Sequence, residues 1–156
     1  MNSLFDNMCA CDHAVEYGLT IKNRNTGFKR TQMASSETAA EYLRPLYGDE
    51  IEIAESFIVL LLNRASQVTG WYRLSSGGRA STVVDVVMLA KVALDAMASA
   101  VVLSHNHPSG SKKPSVQDDR LTKNITDALK LFDIKVVDHV IITTDGHYSY
   151  CDEGRL

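Results

Sequence analysis

Two histidines and an aspartate in one short stretch of the chain could hold a catalytic metal. His105 and His107 are two residues apart and follow an apolar run, and Asp118 comes eleven residues after His107. Two imidazoles and one carboxylate form the ligand set of a catalytic zinc ion, whose fourth position stays open for water. A metal site with an open position supports hydrolysis, so hydrolysis is the first chemistry that this sequence indicates.

The elements around these residues explain how they can converge. The apolar run Ala100–Leu103 predicts a buried strand that leads into His105, and side chains at i and i+2 of an extended segment point the same way. The sequence Pro-Ser-Gly at 108–110 predicts a turn. Ser115 then caps a helix that runs to about Phe132, which places Asp118 in the first turn of that helix. A capping box alone would also explain Ser115 and Asp118 without any metal.

The remaining pattern predicts alternating strands and helices. The expected strands are Val15–Lys22, Glu55–Leu62, Val68–Leu74 and Lys135–Thr143, with a hairpin at Asp145-Gly146 before His147–Cys151. A polar segment at 23–31 and a glycine-containing segment at 75–79 are expected to be loops. The class is therefore α/β or α+β with a mixed sheet.

Two further helices are expected. The first begins after a cap at Ser35 or Ser36 and runs to Tyr47, with Gly48 as its stop, and Pro45 should end or kink it. The second begins after Ser81 or Thr82 and runs to about Met97. Its apolar face is expected to consist of Val83, Val86, Val87, Ala90 and Leu94.

Length and composition indicate one soluble domain. The chain has 156 residues, 45% of them hydrophobic, and a formal net charge of -3, which gives no electrostatic footprint for nucleic acid. Residues 1–12 are expected to be a flexible tail and residues 13–156 a single domain. No membrane span or signal peptide is expected, and three cysteines without a secretion signal favour a cytoplasmic protein. Cys9, Cys11 and His13 could bind a second metal, but a structural zinc site needs a fourth ligand.

The longer motif resembles a known family. His-Asn-His, seven residues, Ser115, two residues and Asp118 fit the H-x-H-x7-S-x2-D pattern of the JAMM (MPN+/JAB) metalloproteases. The surrounding H-N-H-P-S-G, together with Asp138-His139, is similar to the RadC-like branch, over roughly residues 50–151. The resemblance implies a cytidine-deaminase-like three-layer α/β sandwich with a mixed sheet, a single Zn²⁺, and hydrolysis of peptide or isopeptide bonds.

The family pattern also implies roles for two more residues. An upstream glutamate acts as the general base, and Glu55, at the start of a buried strand, is the best match, with Glu50 and Glu52 as competitors. Ser115 would donate a hydrogen bond to the developing oxyanion. His139 is either a core histidine, a partner of a metal ligand or a substrate contact. The adjacent lysines at 112–113 could steer an acidic substrate group.

Two other functions compete with a metallopeptidase acting on a peptide or protein substrate. The first is a non-catalytic DNA-repair-associated module of the RadC type, although residues 1–50 hold no G-x-G hairpin pattern and the net charge is acidic. The second is a deaminase, which uses a C-x-x-C motif that this sequence lacks. The zinc hydrolase is therefore the preferred hypothesis.

Overall fold

A computed structural model describes residues 27–78 and 84–156 of the chain. Its five strands form one sheet in the order β2-β1-β3-β4-β5. The strands are β1 (Glu55–Leu62), β2 (Val68–Gly78), β3 (Ala100–Asn106), β4 (Lys135–Thr143) and β5 (Gly146–Ser149). β3 and β4 are parallel and the other neighbours are antiparallel. The predicted mixed sheet is confirmed.

Helices cover both faces of this sheet. They are α1 (Ser36–Tyr47), a 3-10 helix (Gly48–Glu52), α2 (Val86–Asp95) and α3 (Val116–Lys130). The apolar side chains of β1 alternate between two cores, because successive residues of a strand face opposite sides. Ile58 and Leu60 pack with α1, whereas Phe57 and Val59 pack with α2 and α3. The predicted three-layer α/β sandwich is confirmed.

Several predicted boundaries are confirmed. Ser35 caps α1 and Gly48 ends it, and β1 and β4 have the expected bounds. Pro45 does not end α1, because the helix continues to Tyr47. Leu46 and Tyr47 are buried against the sheet, and this burial holds the last residues in helical form despite the missing proline N–H.

The structure corrects the ends of two strands. β2 continues to Gly78 rather than ending at Leu74, because Ser75 and Gly78 pair with Phe57 and Glu55 of β1. The predicted loop at 75–79 is therefore mostly strand. β3 continues three residues beyond Leu103 to Asn106, so His105 lies inside the strand and not after it.

The structure also corrects α2. The cap is Asp85, whose carboxylate accepts hydrogen bonds from the N–H groups of Val87 and Met88. The expected caps, Ser81 and Thr82, lie outside the described residues, as does Val83 of the expected apolar face. The helix ends at Asp95 rather than near Met97. Leu89 and Ala93 are its buried residues, whereas Val87 is 79% exposed and Leu94 is 41% exposed. Apolar residues occur all round α2, so their positions do not mark a single buried stripe.

Other predictions fall on parts of the chain that lie outside the described residues. These are the tail at 1–12, the strand Val15–Lys22 and the group of Cys9, Cys11 and His13. α3 ends at Lys130, two residues before the expected end at Phe132. The β4–β5 hairpin forms, but β5 begins at Gly146 and ends at Ser149 rather than running from His147 to Cys151. Within the ranges described, none of the helices has the length and apolar character needed to cross a membrane.

Candidate metal centre

Three potential metal ligands lie together at the ends of β3 and α3. The Nε2 atoms of His105 and His107 are 2.9 Å apart, and Asp118 Oδ1 is 3.4 Å from His105 Nε2. Asp118 Oδ2 is 3.7 Å from His107 Nε2. All three side chains are mostly buried, with exposures of 5%, 11% and 17%. The sequence-predicted ligand residues therefore do converge on one point.

The sheet and a tight turn position the two histidines. His105 pairs with Phe57 of β1 and Ile141 of β4, near the centre of the sheet. The His107 N–H donates to the Ile142 carbonyl at 2.9 Å, which extends the strand geometry to the second histidine. The chain then turns at His107–Gly110, where Gly110 has a φ of 76° that favours glycine.

The loop after this turn orients the ring of His107. Its Nδ1 lies 2.6 Å from the Ser111 carbonyl oxygen, which can only accept a hydrogen bond, so Nδ1 carries a hydrogen. The Nε2 atom is therefore the one that faces the other two ligands. The Asp118 carboxylate, 3.7 Å from Nε2, raises the pKa of His107, and the negative charge of Glu55 adds to this effect against the opposing effect of burial.

Asp118 serves both the helix and the site. The N–H and hydroxyl of Ser115 donate to Asp118 Oδ2 at 2.6 and 2.7 Å, and the Asp118 N–H donates back to Ser115 Oγ at 3.1 Å. The predicted capping box is confirmed. Burial alone would raise the pKa of Asp118, but the nearby imidazoles of His107 and His105 and the hydrogen bonds from Ser115 lower it overall, which keeps the carboxylate ionised. Because Oδ2 already accepts two hydrogen bonds, Oδ1 is the oxygen most available to a cation.

His139, in β4, contacts His105 directly. His139 Nε2 is 2.8 Å from His105 Nδ1, and His139 Nδ1 is 2.6 Å from the Thr122 hydroxyl of α3. His139 is fully buried and stacks on Tyr150 at a ring separation of 4.9 Å. Of the roles left open by the sequence, the structure favours a partner of a candidate metal ligand. Burial also lowers the pKa of His105 to about 4, so this ring is neutral near pH 7.

Asp138, the neighbour of His139, has a structural position. Its buried carboxylate accepts hydrogen bonds from the Ser149 hydroxyl at 2.6 Å and the Cys151 N–H at 3.0 Å. These contacts join β4 to the end of β5. Asp138 therefore fixes the hairpin that holds His139 rather than contacting the three candidate ligands.

A pocket of about 570 Å³ opens over the three ligands. Glu55, Ser115 and Lys113 line it together with the ligands. Glu55 is half-buried at the first position of β1. The competing Glu52 is exposed and accepts a hydrogen bond from Thr144, and Glu50 lies in the 3-10 helix without lining the pocket. Glu55 is therefore the one of these three glutamates that lines the pocket.

Asn106 has a role that the sequence reading missed. It is fully buried, its Oδ1 accepts from the Ser56 N–H at 2.8 Å, and its Nδ2 donates to the carbonyls of Ile51 and Ala54 at 2.8 and 2.9 Å. Asn106 thus joins the segment that ends in Glu55 to the strand that carries the two histidines. The sequence did offer one signal for this role. Asn106 lies between the two histidines, so its side chain faces the opposite side of β3 from theirs.

The donor set fits a zinc ion. Imidazole nitrogens and a carboxylate oxygen are zinc ligands, and three protein ligands leave one position open. Two nitrogens bound to tetrahedral zinc lie roughly 3.4 Å apart, from Zn–N distances of about 2.1 Å. The Nε2 atoms of His105 and His107 are 2.9 Å apart. They would need to move apart by only about half an ångström to reach the spacing of two zinc-bound nitrogens.

The fold and this donor set define an α/β domain with a candidate metal centre. A family model described as the RadC-like JAB domain matches residues 33–155, and the chain belongs to this family. The resemblance inferred from the His-Asn-His motif is confirmed.

Several similar proteins carry the name UPF0758 protein. The chain is 40% identical to one from Flavobacterium johnsoniae over 81% of its own length, and 38% identical to one from Porphyromonas gingivalis over 82%. It is 34% identical to one from Neisseria meningitidis over 80%. The matches cover 54%, 56% and 54% of these relatives, so the chain spans about half the length of the proteins it matches.

Proposed function

We propose that this domain is a zinc-dependent hydrolase that uses water to cleave peptide or isopeptide bonds. The observation that carries the proposal is the position of Glu55, which lines the same pocket as the three converging ligands. The relatives' name gives no activity. The proposal therefore depends on the chemistry of this pocket and on family membership, and it concerns this domain alone.

His105, His107 and Asp118 would hold the metal. A bound zinc ion lowers the pKa of water toward about 7 and polarises a carbonyl group. Glu55 accepts the proton that water loses as it attacks the scissile carbonyl, and then returns that proton to the leaving amine. The half-buried carboxylate of Glu55 lies close enough for its charge to raise the pKa of His107, which supports its place beside the reacting groups.

Ser115 and Lys113 supply the remaining contacts in this proposal. The Ser115 hydroxyl donates to Asp118 Oδ2 in the structure, so it must rotate toward the substrate before it can donate to an oxyanion. Lys113 lines the pocket and can attract an acidic group of a peptide substrate. Lys112, its neighbour, is placed against Gly146 instead.

The test compares Glu55→Gln with Glu52→Gln. Both changes neutralise a glutamate near the start of β1, but only Glu55 lines the pocket. We expect Glu55→Gln to keep its zinc and to lose turnover of a peptide library by about 10²-fold or more. Glu52→Gln should retain wild-type turnover, and a chelator should stop cleavage by both the wild type and this control.

Metal analysis of His107→Ala completes the experiment. This variant should lose zinc, because it removes one of three ligands. Unchanged zinc stoichiometry in His107→Ala would refute the site, and full turnover by Glu55→Gln would refute the role of the base. Zinc binding without cleavage, combined with salt-dependent DNA binding, would instead support the DNA-associated alternative.

A further inference from the structure

We propose that His139 and Thr122 are positioning residues that set the tautomer of His105, so that its Nε2 lone pair is available to a metal. The inference rests on the candidate ligand set and not on which bond the domain cleaves. It assigns a function to a hydrogen-bonded series of side chains, running from α3 through β4 to β3.

The series starts at the Thr122 hydroxyl, which has one hydrogen to donate. Its Oγ1 lies 2.6 Å from the Asp118 carbonyl oxygen, one helical turn earlier, and that oxygen can only accept. The hydroxyl hydrogen is therefore committed to the backbone. The lone pairs of Oγ1 face His139 Nδ1 at 2.6 Å, so Nδ1 must be the protonated nitrogen of His139.

The second step determines which nitrogen of His105 carries the hydrogen. His139 is fully buried between two uncharged partners, and a neutral imidazole has a single N–H. With that hydrogen on Nδ1, Nε2 of His139 is an acceptor. It lies 2.8 Å from His105 Nδ1, which must then donate. The hydrogen of neutral His105 is on Nδ1, and its Nε2 faces His107 and Asp118 without a hydrogen.

Ring packing holds both imidazoles in this arrangement. His105 stacks on Phe57 with an interplanar angle of 4°, and His139 stacks on Tyr150 with an angle of 11°. Stacking in this closely packed interior fixes the plane of each ring, and the contacts at the ring nitrogens fix which nitrogen faces which partner. Because Thr122 donates to the backbone of Asp118, the series also ties the His105 tautomer to the helical turn that supplies the third ligand.

Thr122→Val tests the inference, with Thr126→Val as the matched control. Both threonines are on α3 and both donate to a carbonyl four residues earlier, at 2.6 and 2.8 Å, but His139 contacts Thr122. Loss of a hydrogen bond that supports a metal-binding histidine typically weakens metal binding about 10–100-fold. We expect Thr122→Val to weaken zinc binding by about tenfold, at the lower end of that range, measured by competition with a chromophoric chelator. Thr126→Val should bind zinc as the wild type does.

A second measurement reads the tautomer without any metal. In ¹⁵N NMR spectra, protonated and bare imidazole nitrogens have well-separated shifts, and the chain has only five histidines to assign. We expect His105 of the metal-free wild type to carry its hydrogen on Nδ1, and Thr122→Val to increase the form with hydrogen on Nε2. Thr126→Val should leave this balance unchanged.

Two outcomes would overturn the inference. One is a metal-free wild type in which His105 carries its hydrogen on Nε2. The other is equal weakening of zinc binding by the two valine variants, which would indicate a general effect of α3. A wild type that binds zinc with the expected tautomer but cleaves no peptide would refute the proposed function and leave this inference standing.

A pair of changes at His139 provides an independent check. In His139→Gln the side-chain carbonyl can replace Nε2 as the acceptor for His105, whereas His139→Phe fills the space with no acceptor. Zinc binding should be weaker in His139→Phe than in His139→Gln if the acceptor matters. Equal zinc binding by these two variants would contradict the role of His139 as the hydrogen-bond acceptor for His105.

Discussion

Replacing Asn106 by alanine should destabilise the domain far more than its small change in volume suggests. Asn106 is fully buried and makes three hydrogen bonds to the backbone of residues 51–56. Alanine makes none of these bonds. The Ser56 N–H and the carbonyls of Ile51 and Ala54 would then lose their partner, and the segment that leads into Glu55 would no longer be tied to β3.

The magnitude follows from the burial of the three orphaned groups. An unsatisfied buried N–H or carbonyl costs about 1–3 kcal/mol. Ser56 is buried, so its N–H bears a full cost of about 2 kcal/mol, whereas the two carbonyl bonds are part-buried and water can recover some of their loss, at about 1 kcal/mol each. The sum is about 4 kcal/mol, a large share of the 5–15 kcal/mol that is typical of a domain.

Asn63→Ala is the matched control for this change. Asn63 lies just beyond the other end of β1 and also makes three hydrogen bonds, accepting from Ala65 and Gln67 and donating to the Gln67 side chain. Those bonds are exposed, so water replaces them and the expected loss is about 1 kcal/mol. Urea unfolding followed by circular dichroism gives both free energies. Equal losses in the two variants would refute the conclusion that the buried hydrogen bonds of Asn106 stabilise the segment before β1.

Two further predictions concern stability. Asp85→Ala should lower the free energy of unfolding by about 1 kcal/mol, because Asp85 caps α2. Asp95→Ala, at the other end of the helix, should cost less, because the contact of Asp95 with Lys91 is an exposed ion pair. Equal destabilisation of the two variants in urea unfolding would contradict the role of Asp85 as the cap. The metal-free protein should lose stability as the pH falls from 6.5 to 4, because burial lowers the pKa of His105 to about 4 while the unfolded chain binds a proton near pH 6.5. The His105 contribution is about 3 kcal/mol, and a urea midpoint that does not fall over this range would contradict it.

Local sequence was enough to predict the candidate ligands. His105 and His107 face one side because they are two apart in extended backbone, and Asp118 is fixed by a cap three residues earlier. Both relations depend on short stretches of chain. The buried strand β1 was likewise visible as an uninterrupted apolar run after its polar start, and β4 as two short apolar runs on either side of Asp138-His139.

Contacts between distant segments could not be read in the same way. His139 meets His105 because β4 lies parallel to β3 in a particular register, which pairs Leu103 with His139. A bulge between Val101 and Val102 contributes to that register, and no local pattern marks it. The role of Asn106 similarly depends on the 3-10 segment before β1 folding back over the end of β3. Family resemblance selected Glu55, and the pocket then distinguishes it from Glu52 and Glu50.

The Asp118 carboxylate takes part in two equilibria at once, and they are thermodynamically linked. Its Oδ2 closes the capping box of α3, while its Oδ1 lies 3.4 Å from Nε2 of His105. If zinc binding favours the capped form of this turn, then by reciprocity the capped form binds zinc more tightly than the uncapped form by the same factor. Hydrogen exchange at the first amides of α3 would therefore report on occupancy of the site, and a better cap would be a means of tightening metal binding without altering a single ligand.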